Sequence, residues 1–222
     1  MRYLALATDY DGTLATHGEV DRATQLALER FVASGRKLIM VTGRQVEDLA
    51  SVFPRLDLFE RVVAENGAVV YTSSTQELRV LEEPPAAAFV DALRARGVEP
   101  LSVGHVVVAT WEPHRAAVLE TIQALGLELH LEFNKGAIMV LPVGLTKRTG
   151  FTAALADMRM TPRQVVGIGD AENDYAFLSL CGYAVSVANA LPSLKEHTNW
   201  VTPADHGAGV VQLIDRMLAD DV

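Results

Sequence analysis

The stretch Leu4-Ala5-Leu6-Ala7-Thr8-Asp9-Tyr10-Asp11-Gly12-Thr13 constrains this chain more than any other. A short apolar run without polar alternation reads as a strand buried on both faces, the condition of a parallel sheet covered by helices. Open α/β sheets place their ligands at the carboxyl ends of their strands. The run therefore delivers Asp9 and Asp11 to the rim of a crevice, and Gly12 permits a sharp exit turn. Two carboxylates crowded there repel each other. A hard cation offsets that repulsion, and Mg²⁺ commonly takes one or two carboxylates plus phosphate oxygens. The chemistry fits a nucleophile and metal ligand (Asp9) beside a general acid/base (Asp11). Asp and Gly are also ordinary turn residues, so the stretch by itself equally fits an acidic turn.

The chain downstream repeats the pattern. A helix is expected from about Asp21, an N-cap residue, to Ser34, with Ala23, Ala27, Leu28, Phe31 and Val32 on one face. Lys37 to Val41 is a second strand that brings Thr42-Gly43-Arg44 to the same sheet edge, and Val62-Val63-Ala64 is a third. Glu65-Asn66-Gly67 reads as a turn into a hairpin partner, Ala68 to Tyr71. After a polar loop and the break Glu82-Glu83-Pro84-Pro85 the rhythm changes to helix-strand-strand, twice. The strands of this insert are expected near 98–103, 105–110, 128–133 and 137–141. Leu129, Leu131 and Phe133 alternate with Glu128, His130 and Glu132, so one face should be packed and the other wet. The first rhythm then resumes with a helix opening on Lys147 and a strand, Val165 to Gly169, that ends in Asp170-Ala171-Glu172-Asn173-Asp174. The expected fold class is α/β: a doubly wound, Rossmann-like parallel core of residues 1–81 and 145–222, interrupted by a small α+β unit at 82–144.

Composition narrows the function. The 222 residues carry a formal net charge of -9, and the basic ones form no cluster, which argues against nucleic acid as a partner. The single cysteine, Cys181, offers neither a disulfide framework nor a thiolate metal cluster. No segment has the length of a membrane span and the first residues lack a signal-peptide pattern, so a cytoplasmic protein with no membrane partner is expected. Either a monomer or a homodimer fits.

Polar groups thus converge at strand ends and helix starts: Asp9 and Asp11, Thr42 and Gly43, Lys147, and Asp170 with Asn173 and Asp174. Phosphoryl transfer needs an in-line nucleophile, donors for the phosphoryl oxygens, a metal and a leaving-group acid. Thr42 offers a hydroxyl and Gly43 a backbone N–H near a helix start, where anions are favoured. Lys147 supplies a compact positive charge. Each piece also has a bland reading, as a solvated lysine, an N-cap or an acidic loop, but their joint occurrence favours one reaction.

Asp-Tyr-Asp-Gly-Thr after a strand, Val-Thr-Gly-Arg, a later Lys, and Gly-Asp-Ala-Glu-Asn-Asp resemble, in order, the four motifs of the haloacid dehalogenase superfamily. The insert falls between the second and third motifs, after Ala-Glu-Asn-Gly-Ala, as in the Cof-type phosphatases, whose cap roofs the active site. In size the chain is similar to small phosphoglycolate phosphatases. The resemblance implies Asp9 as nucleophile and Asp11 as acid/base. It implies Thr42, Gly43, Lys147 and Asn173 on the phosphate, and a Mg²⁺ site of Asp9, Asp170 and the Asp11 backbone carbonyl, with Asp174 either a further ligand or a support behind them. It also implies a mobile flap at about 12–20. Arg44, His130 and Lys135 are candidates for substrate specificity. The activity so implied is Mg²⁺-dependent hydrolysis of a small phosphate ester, a sugar phosphate or a phosphoglycolate-like compound, through an aspartyl-phosphate. A phosphomutase using the same intermediate and a non-catalytic phosphometabolite binder are the competing readings.

Overall fold

In the computed structural model, which describes residues 2–134 and 136–222, the apolar run becomes β1 (Ala5–Thr8), buried along its length. The chain continues through α1 (Arg22–Ala33), β2 (Lys37–Val41), α2 (Val46–Val52) and β3 (Arg61–Ala64), then a hairpin of β4 (Val69–Thr72) and β5 (Glu77–Val80). The insert comprises α3 (Ala87–Ala95), β6 (Ser102–Val103), β7 (Val108–Trp111), α4 (Arg115–Leu125), β8 (Leu129–Asn134) and β9 (Ala137–Pro142). The chain then returns as α5 (Lys147–Asp157), β10 (Val165–Gly169), α6 (Tyr175–Leu178), β11 (Tyr183–Ser186), α7 (Pro192–Lys195), β12 (Trp200–Val201) and α8 (His206–Leu218).

One eight-stranded sheet has the order β12-β11-β10-β1-β2-β3-β4-β5. Its first six strands run parallel and the β4–β5 hairpin closes one edge antiparallel. β1 is central: Ala7 pairs with Gly167 on one side and Ile39 on the other. Helices cover both faces, the arrangement that lets β1 be apolar throughout. α1 begins where the Asp21 carboxylate accepts from the Thr24 N–H at 2.7 Å, and it turns Ala27, Leu28 and Phe31 into the core. The doubly wound α/β core expected from the sequence is therefore present.

The second sheet, β6-β7-β9-β8, is antiparallel throughout and has its own apolar cluster, in which Phe89, Leu93 and Val118 pack against Val108, Ile138 and Val140. Leu129 and Leu131 join that cluster as expected, whereas Phe133 is exposed, beneath the Arg115 guanidinium. The opposite face departs from the wet face anticipated. Met139 pairs with both Ala109 and Glu132, so these three share a face, and Met139, Leu141 and Val107 belong to the apolar core of the large sheet. Charged residues of this face are confined to the edge strand β8.

Two further differences have local causes. β5 falls in a stretch to which the sequence assigned no element; it is an edge strand with little buried surface and hence no apolar alternation to reveal it. β6 is shorter than the strand expected at 98–103, because Pro100 has no N–H to give a ladder. Cys181 is a free, partly buried thiol whose pKa burial pushes well up. Among the described residues no helix is long and apolar enough to cross a membrane.

Candidate active site

Asp9 leaves the end of β1 almost completely buried, and its Oδ1 accepts a hydrogen bond from the Lys147 ammonium at 2.6 Å. Lys147 opens α5, and the same ammonium donates to Asp174 Oδ1 at 2.6 Å. Two glycines bring this helix start so close. A Cβ on Gly67 would stand 1.9 Å from the Thr146 carbonyl oxygen, and one on Gly150 would stand 2.5 Å from Val63 Cγ1. No real Cβ occupies such positions, so α5 is seated directly on the end of β3.

Asp174 is fully committed. Its Oδ2 accepts from the backbone N–H groups of Asp170 and Ala171 at 2.8 and 3.0 Å, which shapes the turn after β10. That turn presents Asp170, whose Oδ1 accepts from the Thr13 hydroxyl at 3.3 Å. Asp9, Asp170 and Asp174 offer oxygens that lie within 4.8 Å of one another, all buried. Burial, then the Asp174 charge, raises the Asp9 carboxyl from 3.8 to about 8, with Asp170 adding to the rise and Lys147 opposing it. For Lys147, burial works against the charged form, but Asp174 and Asp9 outweigh it and hold the ammonium above its ordinary range. Three acids against one ammonium leave this centre short of positive charge.

Asp11 stands two residues on, in the wall of the cleft. Arg44 grips its carboxylate with both arms of the fork, Nε to Oδ2 at 2.6 Å and Nη2 to Oδ1 at 2.8 Å, and donates to Asp48 through Nη1 at 2.7 Å. The guanidinium lies over the Tyr10 ring, 5.4 Å from its centroid. The hydrogen bonds to Asp11 come first among the causes that raise the Arg44 pKa above its ordinary value. Arg44, expected to meet the substrate, thus has every guanidinium nitrogen on an acid of its own chain. The segment after Asp11, expected to form a flap, folds into tight turns, with bridges joining Asp11 to Ala15 and Thr16 to Glu19.

Thr42 and Gly43 reach the same cleft from the end of β2. The Thr42 hydroxyl accepts from the Arg44 N–H at 3.1 Å, and Gly43 lies close under the Met139 sulfur, 3.2 Å from where a Cβ would be. Asn173 does not reach this cleft directly; its amide donates to Asn66 Oδ1 at 3.1 Å. Asn173 Oδ1 and Asn66 Nδ2 are buried and make no hydrogen bond with the described residues. His130 stands away from the cleft beside Glu132, Nε2 to Oε1 3.5 Å, with neither ring nitrogen hydrogen-bonded among the described residues. Most of the face above the cleft comes from Val107, Ala109, Trp111 and Met139, on β7, β9 and the turn before β7, and the edge strand β8 contributes Asn134 at its end. Lys135 lies outside the described residues. The open cleft between core and insert has a volume of about 540 Å³.

Several structural supports of the site were not read from the sequence. Asn66 N–H donates to the Thr42 carbonyl at 3.0 Å and Glu65 N–H to the Arg44 carbonyl at 2.9 Å, so the hairpin turn between β3 and β4, present as expected, also braces the Thr42 loop. The Gly12 carbonyl accepts from Asn189 Nδ2 and from a His206 ring N–H, each at 2.8 Å, which pins the exit turn below Asp11. The turn that braces the Thr42 loop has left-handed backbone at Glu65 and Asn66, φ 49° and 56°, and Asn-Gly was the local signal for it.

Comparison with known proteins agrees with this geometry. A family model described as haloacid dehalogenase-like hydrolase matches residues 6–109 and 119–214. The chain belongs to that family. It is 30% identical over 229 residues to the phosphoglycolate phosphatase of Methanothermobacter thermautotrophicus, covering 96% of this chain and 98% of that one. It is 25% identical over 226 residues to phosphoglycolate phosphatase 2 of Saccharolobus solfataricus, covering 97% and 93%. Among solved structures, a haloacid dehalogenase-like hydrolase from Bacteroides thetaiotaomicron superposes with TM-score 0.81 at 17% identity, over 97% of this chain and 99% of that one. A sugar phosphatase of subclass IIB in the same superfamily superposes with TM-score 0.75 at 18% identity, over 96% and 98%. Within the family, the chain is a phosphatase of the Cof type.

Proposed function

We propose that this enzyme is a Mg²⁺-dependent phosphomonoesterase acting on a small phosphorylated metabolite in the cytoplasm, with Asp9 as nucleophile and Asp11 as acid and base. The observation that carries the reading is the placement of these two carboxylates. Asp9 is buried on the cleft floor against Lys147, and Asp11 is held in the cleft wall by Arg44. A phosphoryl group seated among Thr42, the Gly43 N–H and Lys147 would present phosphorus to Asp9. The Asp9 carboxylate forms the P–O bond as the ester P–O bond breaks, and the departing oxygen takes a proton from Asp11. Asp11 then removes a proton from water, which attacks the aspartyl-phosphate and releases inorganic phosphate and free Asp9. The Arg44 fork fixes Asp11 for both transfers. Asn173 acts one step back, positioning Asn66 and through it the Thr42 carbonyl.

The donor set fits a hard divalent cation: buried carboxylate oxygens within 4.8 Å, in a centre with more negative than positive charge. Asp9 and Asp170 would hold Mg²⁺, with Asp174 positioning the Asp170 turn, since both Asp174 oxygens are already engaged. When bound there, such an ion would supply charge stabilisation to the transferring phosphoryl group and favour the ionised form of Asp9. The insert, closing over Asp9 with an apolar roof, excludes water and selects the leaving group. The relatives' names make 2-phosphoglycolate and sugar phosphates the first substrates to try.

The test is inorganic phosphate release from a panel of 2-phosphoglycolate, sugar phosphates, nucleotides and cofactor phosphates, with metal-stripped enzyme and with added Mg²⁺. Release from at least one ester, only with the metal, is the expected result. Isomerisation of a sugar phosphate without phosphate release would point to a mutase and overturn the hydrolase reading.

A further inference from the structure

Glu65 has no place in the chemistry above, yet it is among the most constrained side chains in the protein. It belongs to the large sheet's side of the molecule, its carboxylate is 1% exposed, and its backbone is left-handed at φ 49°. That carboxylate reaches into the turn between β6 and β7 of the insert and collects three consecutive backbone N–H groups. His105 donates to Oε1 at 2.9 Å, and Val106 and Val107 donate to Oε2 at 2.8 and 2.9 Å. His105 Nδ1 lies 3.1 Å from the same Oε1. Successive N–H groups converging on one point form an anion-binding nest. The nest is why 104–107 is a turn and not the start of the strand expected at 105–110. Gly104 completes it: a Cβ there would stand 2.6 Å from Glu65 Oε2. The same Glu65 braces the Thr42 loop through its N–H on the Arg44 carbonyl, and Val107, at the end of the nest, forms part of the cleft roof. By contrast, a further core-to-insert hydrogen bond near the cleft, Gln45 Nε2 to Ser102 Oγ at 2.9 Å, is exposed and correspondingly weak.

We propose that Glu65 is a positioning residue that docks the insert: its carboxylate, seated in the 105–107 nest, holds the roof at a fixed height over Asp9 and ties that height to the Thr42 loop. Charge-assisted hydrogen bonds to three N–H groups in a dry site give the insert a third attachment beside its two covalent connections. Opening the cleft breaks this attachment, and closing remakes it. Glu65 therefore acts on substrates in proportion to how much of the leaving group the roof must cover.

The activity arm of the test rests on the phosphatase reading, and a hydrogen-exchange arm does not. Glu65→Gln keeps the shape but turns one acceptor into a donor facing N–H groups, and Gly104→Ala pushes on the carboxylate from the insert's side. In either variant, deuterium uptake by the amides of 105–107 should quicken at least about tenfold while the central strands keep wild-type exchange. The ratio of kcat/KM for the best ester of the panel to that for 4-nitrophenyl phosphate should fall at least about fivefold, with most of the loss in KM. Glu65→Asp, too short to reach all three N–H groups, should fall between wild type and Glu65→Gln. Folded variants with wild-type exchange at 105–107 and an unchanged substrate ratio would overturn the proposal. If Glu65→Gln does not fold, Gly104→Ala and Glu65→Asp decide on the same two readouts. If the wild-type enzyme turns over no ester, the phosphatase reading fails and the exchange result alone judges the docking role.

Discussion

Replacing Asp9 by Asn deletes a charge and keeps the side chain's shape, and the consequence for stability can be worked out from the site. In the metal-free protein the Asp9 carboxyl is raised from 3.8 to about 8 by burial and by Asp174 and Asp170. Between those two pH values the folded protein holds a proton on Asp9 that the unfolded chain has released. The native state then binds more protons than the unfolded one, so stability falls as pH rises through that window. At about 1.4 kcal/mol per pH unit the ceiling is roughly 6 kcal/mol. Asn also gives Lys147 a neutral partner in place of an anion, and water and side chains relax around buried charge. A net gain of about 1–3 kcal/mol is therefore expected above pH 7, or a Tm higher by roughly 3–10 °C for a chain of this size. The gain should vanish near pH 4, grow to a plateau above pH 8, and shrink when Mg²⁺ is added, because the ion stabilises the wild-type site more. Phosphate release should drop by several orders of magnitude. Melting curves of both proteins in chelator at four pH values, with mass spectrometry to exclude deamidation, make the test. An Asp9→Asn protein that melts below wild type at pH 8, or whose advantage is largest at pH 4, would refute the electrostatic account. Retention of a tenth of the wild-type rate would refute the nucleophile.

Other expectations follow from the same geometry. Lys147→Met leaves the buried acids without their cation and should cost about 3–5 kcal/mol along with all activity, so a variant with wild-type Tm contradicts the bridging role. Gly150→Ala forces α5 off the end of β3; a loss of about 1–3 kcal/mol and at least about tenfold in kcat is expected, and unchanged kinetics would show that Lys147 tolerates the shift. Asp170→Ala should move the Mg²⁺ activation curve at least about tenfold to higher concentration, and chelator should silence the wild-type enzyme, with Ca²⁺ a poor replacement. Arg44→Lys keeps the charge and loses the fork; kcat should fall about tenfold with KM little changed, and a purely KM effect would place Arg44 on the substrate instead.

The parts of this protein that repeat a local rule were readable in its sequence. β1, β2, β3 and β10 are apolar because both faces are covered, and their carboxyl ends announce Asp9, Thr42 and Asp170 by breaking that run. Asp21 signalled the start of α1 because capping is a contact over three residues. What escaped reading depends on contacts distant in the chain. The 104–107 turn exists because of a carboxylate some 40 positions earlier, which no window of sequence contains. Gly67 and Gly150 look like ordinary turn and helix glycines until Thr146 and Val63 are placed beside them. The alternation along β8 tells its two faces apart but not its neighbours, so the order β6-β7-β9-β8, with β8 at the edge, was not legible from it. Arg44 lines the cleft, and its pairing with Asp11 and with Asp48, one helical turn away, was not legible because those partners meet it only in the folded site.

The position of β1 between β2 and β10 sets an order of assembly. β2 follows β1 closely, but β10 is separated from it by the whole insert, so the left flank of β1 stays open until the last third of the chain has been made. During synthesis Asp9 thus waits on an incomplete sheet edge, hydrated and at no electrostatic cost. Asp170 and Asp174 arrive later, and Lys147 precedes both on the same returning segment. The crowding of three acids is deferred to the final docking step, and the neutralising ammonium is already aboard the piece that creates it.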